Sequence, residues 1–252
     1  MSSNRSTGLF RFQRFSMTHA RSPMKIGTDG VLLGAWCDGS QARWALDVGT
    51  GCGLIALMLA QRYPLLQVEG IDIDPGAVAD ARENFAGSPF AERLSVRQGD
   101  VLAADFPRRY DLIVSNPPFF TEDTLPPEAS RAAARHAVHL PAEAFARKIT
   151  QILAPSGRVA LIYPYREADR LVGFFAAEGL FLARRTDVRG GAGRPLKRSL
   201  LEFSFTPVGQ KRWRQIPCNY ARKTGGAAHN TGNSPGGFIP ILPRCRDGGG
   251  KN

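Results

Sequence analysis

"LDVGTGCGLIALML", residues 46–59, decides the fold. Gly49, Gly51 and Gly53 stand between an apolar, β-rich run and a stretch in which Ile55, Met58, Leu59 and Arg62 recur at i, i+3, i+4 spacing, the period of a helix with one polar exit. A strand that turns through glycines straight into an amphipathic helix brings backbone close to a ligand, because no Cβ stands in the way. The unit predicts a nucleotide-like cofactor at the carboxyl ends of the strands.

Working outward, apolar runs alternate with helical stretches from residue 44 onward. The predicted strands are "RWALDVG", "LLQVEGIDI", "RLSVRQG", "YDLIVSN", "GRVALIYP", "LFLARRTDV" and "RSLLEFSF". Two further helical stripes lie between them, Phe145/Ile149/Ile152/Leu153 after Pro141 and Ala168/Leu171/Val172/Phe175. This alternation predicts an α/β, Rossmann-like fold, a seven-stranded and mainly parallel sheet flanked by helices. The segment "RGGAGRPLKR" (189–198) is read as a loop too long and too basic for a tight hairpin.

A chain of 252 residues with 43% hydrophobic content suits one large domain. Residues 1–206 are assigned to it: 1–43 as an N-terminal segment covering substrate and cofactor, 44–206 as the core. Residues 207–252 are dense in Gly and Pro, show no apolar period, and are expected to form a disordered tail. Of the formal net charge of +11, this tail carries eight Lys or Arg and one Asp, hence +7, which leaves +4 for residues 1–206. The body is mildly basic, which weakens any inference of a polyanionic partner from net charge.

Nowhere do eighteen apolar residues run together, so no membrane partner and a cytoplasmic location are expected. Cys37, Cys52, Cys218 and Cys245 form no CxxC pattern, so neither a disulfide scaffold nor a metal site is expected.

The acids discriminate between cofactors. Here the loop reads GxGxG, with Asp47 two residues before the first glycine. A carboxylate beside the loop suits a cationic ligand better than a diphosphate, and S-adenosylmethionine carries an ammonium and a sulfonium and no phosphate. Asp72, in "GIDIDP" at the end of the second strand, can accept from both ribose hydroxyls; Asp100, in "QGDV" after the third, can accept from the adenine amine. Either acid can equally cap a turn. Three acids at three successive strand ends favour the cofactor.

"SNPPFF", residues 115–120, ends the fourth strand abruptly, since proline cannot continue a ladder. Adenine's exocyclic amine is a poor nucleophile because its lone pair is delocalised into the ring. The Asn116 side-chain oxygen and the Pro117 carbonyl can take the two amine hydrogens and aim the lone pair; Pro118 stiffens the turn, and Phe119 can stack on the base. No general base is required, because the attacked nitrogen turns acidic only as the bond forms.

The glycine loop together with "NPPF" resembles the class I S-adenosylmethionine-dependent amino-methyltransferases, in which (D/N/S)PP(Y/F/W) marks methylation of an amide or base nitrogen. "FRFQRF" and "MKIGTDGVLLGAW" sharpen the resemblance, over about residues 9–206, to the bacterial tRNA1(Val) (adenine-37 N6)-methyltransferase group. The resemblance implies that Thr28 and Asp29 sit near the cofactor's methionine end; the residues alone read equally as a Gly-rich turn before a helix starting near Val31. It also implies tRNA, at the anticodon loop, as partner, and a monomeric enzyme.

Arg131 and Arg135 in "RAAARHAVHL" share a helix face close in sequence to "NPPF", and Arg194 and Lys197 lie in the basic loop; all four are candidate phosphate contacts. His136 and His139 lack a third metal ligand. Phe10, Phe12 and Phe15, interleaved with Arg11 and Arg14, read as an edge strand burying Phe10 and Phe12 or as a stacking surface for unpaired bases. The rival readings are the same chemistry on ribosomal RNA guanine, DNA adenine or a protein glutamine amide, and a non-catalytic nucleic-acid-binding module.

Overall fold

The computed structural model describes residues 9–117, 140–191, 193–207 and 214–217. A short hairpin, β1 (Phe10–Arg11) and β2 (Ser16–Met17), leads to α1 (Thr28–Trp36). The core follows as β3 (Trp44–Val48), α2 (Leu54–Arg62), β4 (Gln67–Asp72), α3 (Pro75–Ala86), β5 (Leu94–Gln98) and β6 (Tyr110–Ser115). Next come α4 (Ala142–Ile152), β7 (Leu153–Pro164), α5 (Ala168–Ala177), β8 (Phe181–Arg189), β9 (Leu196–Ser204) and β10 (Arg214–Pro217).

The sheet runs β5-β4-β3-β6-β7-β9-β8-β10. Its first five strands are mutually parallel, β9 is antiparallel to both neighbours, and β10 lies parallel to β8. The chain leaves β3 for β4 and β5 on one side and returns to β6 on the other. That reversal opens a crevice between the carboxyl ends of β3 and β6, the place where open α/β sheets bind ligands.

Both faces of the sheet are covered, so successive residues of the central strands enter different cores. Leu112 and Val114 of β6 pack with α1 and α2 through Leu33, Leu57 and Leu59. Ile113, between them, packs on the other face with Phe145 of α4 and Phe175 of α5. Phe175 stacks on Phe203 of β9 at 4.4 Å between ring centroids. Truncating so buried a ring typically costs about 3–5 kcal/mol.

All seven expected strands form, and four expectations of detail are corrected. Leu153 begins β7 rather than ending a helical stripe. The helix expected near Val31 starts at Thr28, so Thr28 and Asp29 form its first turn. β8 and β9 pair as an antiparallel hairpin through Arg189↔Leu196, which shortens the expected loop to residues 190–195. Among the described residues β1 pairs with β2 in a two-stranded sheet of its own, an edge strand as expected, with Phe10 and Phe12 packed against the core. Phe12 stacks there on the buried Phe15 at 4.6 Å. Finally, the strandless tail expected after Thr206 is corrected at Arg214–Pro217, which pairs with Thr186–Arg189. "RQIP" shows no apolar alternation because an edge strand needs chiefly backbone partners.

Candidate active site

The glycine loop is built from β3 and anchored on β4. Gly49 and Thr50 each donate a backbone hydrogen bond to the Ile71 carbonyl, at 2.9 and 3.2 Å, and the Gly51 amide donates to Asp72 Oδ2 at 2.8 Å. Gly51 and Gly53 have φ of +57° and +86°, conformations that cost a side-chain-bearing residue roughly 1–2 kcal/mol. Their surroundings differ. A Cβ on Gly51 would meet none of the described residues within 4 Å, whereas one on Gly53 would lie against the ring of Phe85. Among the described residues Gly51 therefore faces open space, and Gly53 is required by packing.

Asp47 lies beneath the loop and is 0% exposed. Its Oδ2 accepts from the Thr50 hydroxyl at 2.7 Å and the Ala56 amide at 3.2 Å, tying the loop to the first turn of α2. Its Oδ1 is buried with no hydrogen-bond partner among the described residues. Burial pushes the carboxyl up to about 7, against the lowering by those two hydrogen bonds. Burial also raises the carboxyl of Asp72, whose Oδ1 accepts from the Asp74 amide at 3.0 Å. Asp100 Oδ1 accepts from the Leu102 amide at 2.9 Å and so caps its own turn, with the carboxylate still half-buried beyond β5.

Asn116 and Pro117 follow directly on β6. Ser115 donates to the Val48 carbonyl at 2.8 Å, which ties the end of β6 to the end of β3, next to the loop. Asn116 Oδ1 is buried with no hydrogen-bond partner among the described residues. A buried acceptor left without a donor costs about 1–3 kcal/mol. Pro117 lines a small cleft with Leu140, Phe145, Leu161 and Tyr163. A broader surface cleft, lined by Ser40, Arg43, Trp44, Leu65 and Gln67, lies at the amino ends of β3 and β4, away from these groups.

The structure thus gathers Asp47, Gly49, Gly51, Asp72, Asp100, Asn116 and Pro117 at the carboxyl ends of four adjacent strands. Thr28 and Asp29 join them through α1. Asp29 Oδ2 accepts from Arg198 Nε at 2.7 Å, and Arg198 is paired with Pro164, the last residue of β7. Arg194 and Lys197 border that same end of the hairpin. Pro118, Phe119, Arg131 and Arg135 lie outside the described residues.

A family profile described as "Methyltransferase small domain" matches residues 24–159. A tRNA1(Val) (adenine(37)-N6)-methyltransferase of Porphyromonas gingivalis is 44% identical over 206 residues, covering 78% of this chain and 81% of the relative. Proteins of the same name from Edwardsiella ictaluri and Vibrio vulnificus are 41% and 38% identical, covering 81% and 82% of their lengths. The chain belongs to the tRNA1(Val) (adenine(37)-N6)-methyltransferase family. A predicted O-methyltransferase from Agrobacterium tumefaciens superposes with a TM-score of 0.52 at 18% identity, over 75% of this chain and 85% of that one, a likeness of fold.

For a methyltransferase of this fold the cofactor is S-adenosylmethionine, and the groups present fit it. Among the described residues open space lies above Gly49 and Gly51, a half-exposed carboxylate stands at Asp72, and Asn116 holds its orphaned acceptor at the end of β6. Three side chains beside these groups were not singled out by sequence reasoning. Ile73 is an apolar side chain 43% exposed between Asp72 and Asp74. Asn84 donates to both the Thr18 and Cys52 carbonyls at 2.8 Å, fastening the N-terminal segment to the glycine loop. Asp80 Oδ2 accepts from the amides of Arg21 and Ser22 at 2.9 and 2.8 Å, which pins the same segment along α3. "GIDIDP" could have pointed to Ile73 as an apolar residue among acids at a strand end; nothing local signals Asn84 or Asp80.

Proposed function

We propose that the protein transfers a methyl group from S-adenosylmethionine to N6 of adenine 37, beside the anticodon of tRNA1(Val), as a monomer in the cytoplasm. The observation that carries this reading is the buried, unpartnered Asn116 Oδ1 at the end of β6, followed by Pro117 and adjoining the glycine loop.

When bound, S-adenosylmethionine supplies an electrophilic methyl group. The residues of this chain prepare the acceptor. Asn116 Oδ1 and the Pro117 carbonyl take the two hydrogens of the adenine amine and turn its lone pair out of the ring, and proline fixes that carbonyl because its φ is locked. As the amine nitrogen acquires positive charge its hydrogens become acidic, and the hydrogen bonds to these two oxygens strengthen at that point of the reaction. The proton stays on the methylated nitrogen, hydrogen-bonded to Asn116 Oδ1 or the Pro117 carbonyl, until water takes it. Phe119 and Pro118 complete the acceptor site as a stacking face and a rigid turn.

On the cofactor side, Asp72 is assigned to the ribose hydroxyls, Asp100 to the adenine amine, and Thr28 and Asp29 to the methionine end. Asp47 is assigned to holding the loop from beneath rather than to direct contact, because it is fully buried. Arg131, Arg135, Arg194 and Lys197 are assigned to RNA phosphates. An unpaired anticodon-loop base can be splayed into such a pocket more cheaply than a stacked duplex base.

The test is mass spectrometry of nucleosides from tRNA1(Val) incubated with the protein and labelled S-adenosylmethionine. N6-methyladenosine is expected in the natural transcript and not in one carrying guanine at position 37. Label at another nucleoside would overturn the acceptor assignment.

A further inference from the structure

We propose that Arg198 is a positioning residue for the cofactor, acting through Asp29; the inference rests on the assignment of Asp29 to the methionine end. The pair joins residues 169 apart in sequence, Arg198 Nε donating to Asp29 Oδ2 at 2.7 Å. Among the described residues Asp29 Oδ1 has no hydrogen-bond partner. One oxygen is anchored to the sheet and the other is left for a cation.

The location of the pair follows from how α1 is docked. A Cβ on Gly30 would lie 3.0 Å from Leu54 and one on Gly34 would lie 2.8 Å from Met58, so the two glycines seat α1 directly on α2. Leu54 is the first residue of α2, immediately after Gly53. Asp29, beside Gly30, is thereby brought next to the glycine loop. Arg62 donates to the Gly34 and Cys37 carbonyls at 2.6 and 2.8 Å, and Trp36 Nε1 donates to Thr186 of β8 at 3.0 Å.

Those contacts hold α1 without the ion pair. Asp29 and Arg198 are 27% and 34% exposed, and a half-exposed pair adds little to stability. The geometric effect is larger. A free aspartate at the first turn of a helix samples several rotamers, whereas an anchored one presents its second oxygen in one orientation, so the ligand need not supply that ordering on binding. Arg198 Nη1 also donates to the Lys197 carbonyl at 3.1 Å.

The experiment is steady-state kinetics and calorimetric S-adenosylhomocysteine binding for R198Q, R198K, D29N and the R198Q/D29N double variant, with thermal unfolding of each. R198Q is expected to raise KM for S-adenosylmethionine about 10-fold, the scale of one hydrogen bond to a charged group, with kcat within about twofold and little change in Tm. R198K should recover part of the loss, and R198Q should add little to D29N. Unchanged KM in R198Q, or a full additive loss in the double variant, would overturn the inference alone. A wild-type protein that binds no S-adenosylhomocysteine would overturn the functional reading, and this inference with it.

Discussion

Asp72 holds the Gly51 amide across 21 residues, its Oδ2 accepting at 2.8 Å, so the acid assigned to the ribose also shapes the loop assigned to the rest of the ligand. Asp72→Ala should therefore remove a ligand acceptor and release the loop together. Calorimetry with S-adenosylhomocysteine should show a loss of about 1–3 kcal/mol. Asp72→Asn, which keeps one acceptor oxygen, should lose less; equal affinity in all three proteins would remove Asp72 from the site.

The buried Asp47 makes stability depend on pH. Its folded carboxyl is pushed up to about 7 from 3.8, so the folded state holds a proton that the unfolded chain has released. That contribution is complete below pH 4 and is lost as pH rises through 7, a difference of at most about 4 kcal/mol. Asp72, shifted the same way, adds to this slope. Urea unfolding should find Asp47→Asn gaining on the wild type between about pH 4 and pH 7, the interval between the two pKa values. A difference that shrinks over that interval would contradict the assignment.

Two neighbouring glycines should fail in different ways. Gly53→Ala sets a methyl against the Phe85 ring at φ +86°, and should cost about 2–4 kcal/mol in unfolding experiments. Gly51→Ala meets no atom of the described residues within 4 Å and should cost roughly 1–2 kcal/mol for its φ, while cofactor affinity falls further than stability does. Parallel losses of affinity and stability in both variants would show that the space above Gly51 is not used by a ligand.

Asn116→Ala should leave both ligands bound and lower the methyl-transfer rate on the order of 100-fold to 1000-fold, the usual cost of losing one preorganised partner of a developing charge. Single-turnover kinetics at saturating tRNA isolates that step. A near wild-type rate would reduce the motif to a turn.

What was legible in the sequence is what is local. Strand, glycine loop and helix read correctly from residues 44–62 because each signal lies within a few positions: positive φ at glycine, and apolar period in β3 and α2. Asp72, Asp100 and Asn116 were legible because each ends a strand, and strand ends of a parallel sheet meet at one edge. The Asp29–Arg198 and Asn84–Thr18 contacts were not, since they join residues 169 and 66 apart with no periodic trace. The start of α1 was misread because Gly27 offers no side-chain cap to announce it. The burial of Asp47 was missed for a related reason: a carboxylate beside a glycine loop looks alike in sequence whether it lies above the loop or below.

β10 covers part of one edge of the main sheet. It covers Thr186–Arg189, the end of a nine-residue strand that would otherwise show a row of unpaired amides and carbonyls to any other chain. Pro217, lacking an amide hydrogen, ends the ladder where it stands. The far edge, β5, needs no such cover, being five residues long and bearing Arg97. A chain ending at Pro207 should keep its fold and cofactor affinity yet self-associate in light scattering as concentration rises, whereas one ending at Pro217 should not. That outcome would place the control of solubility at the margin of the sheet.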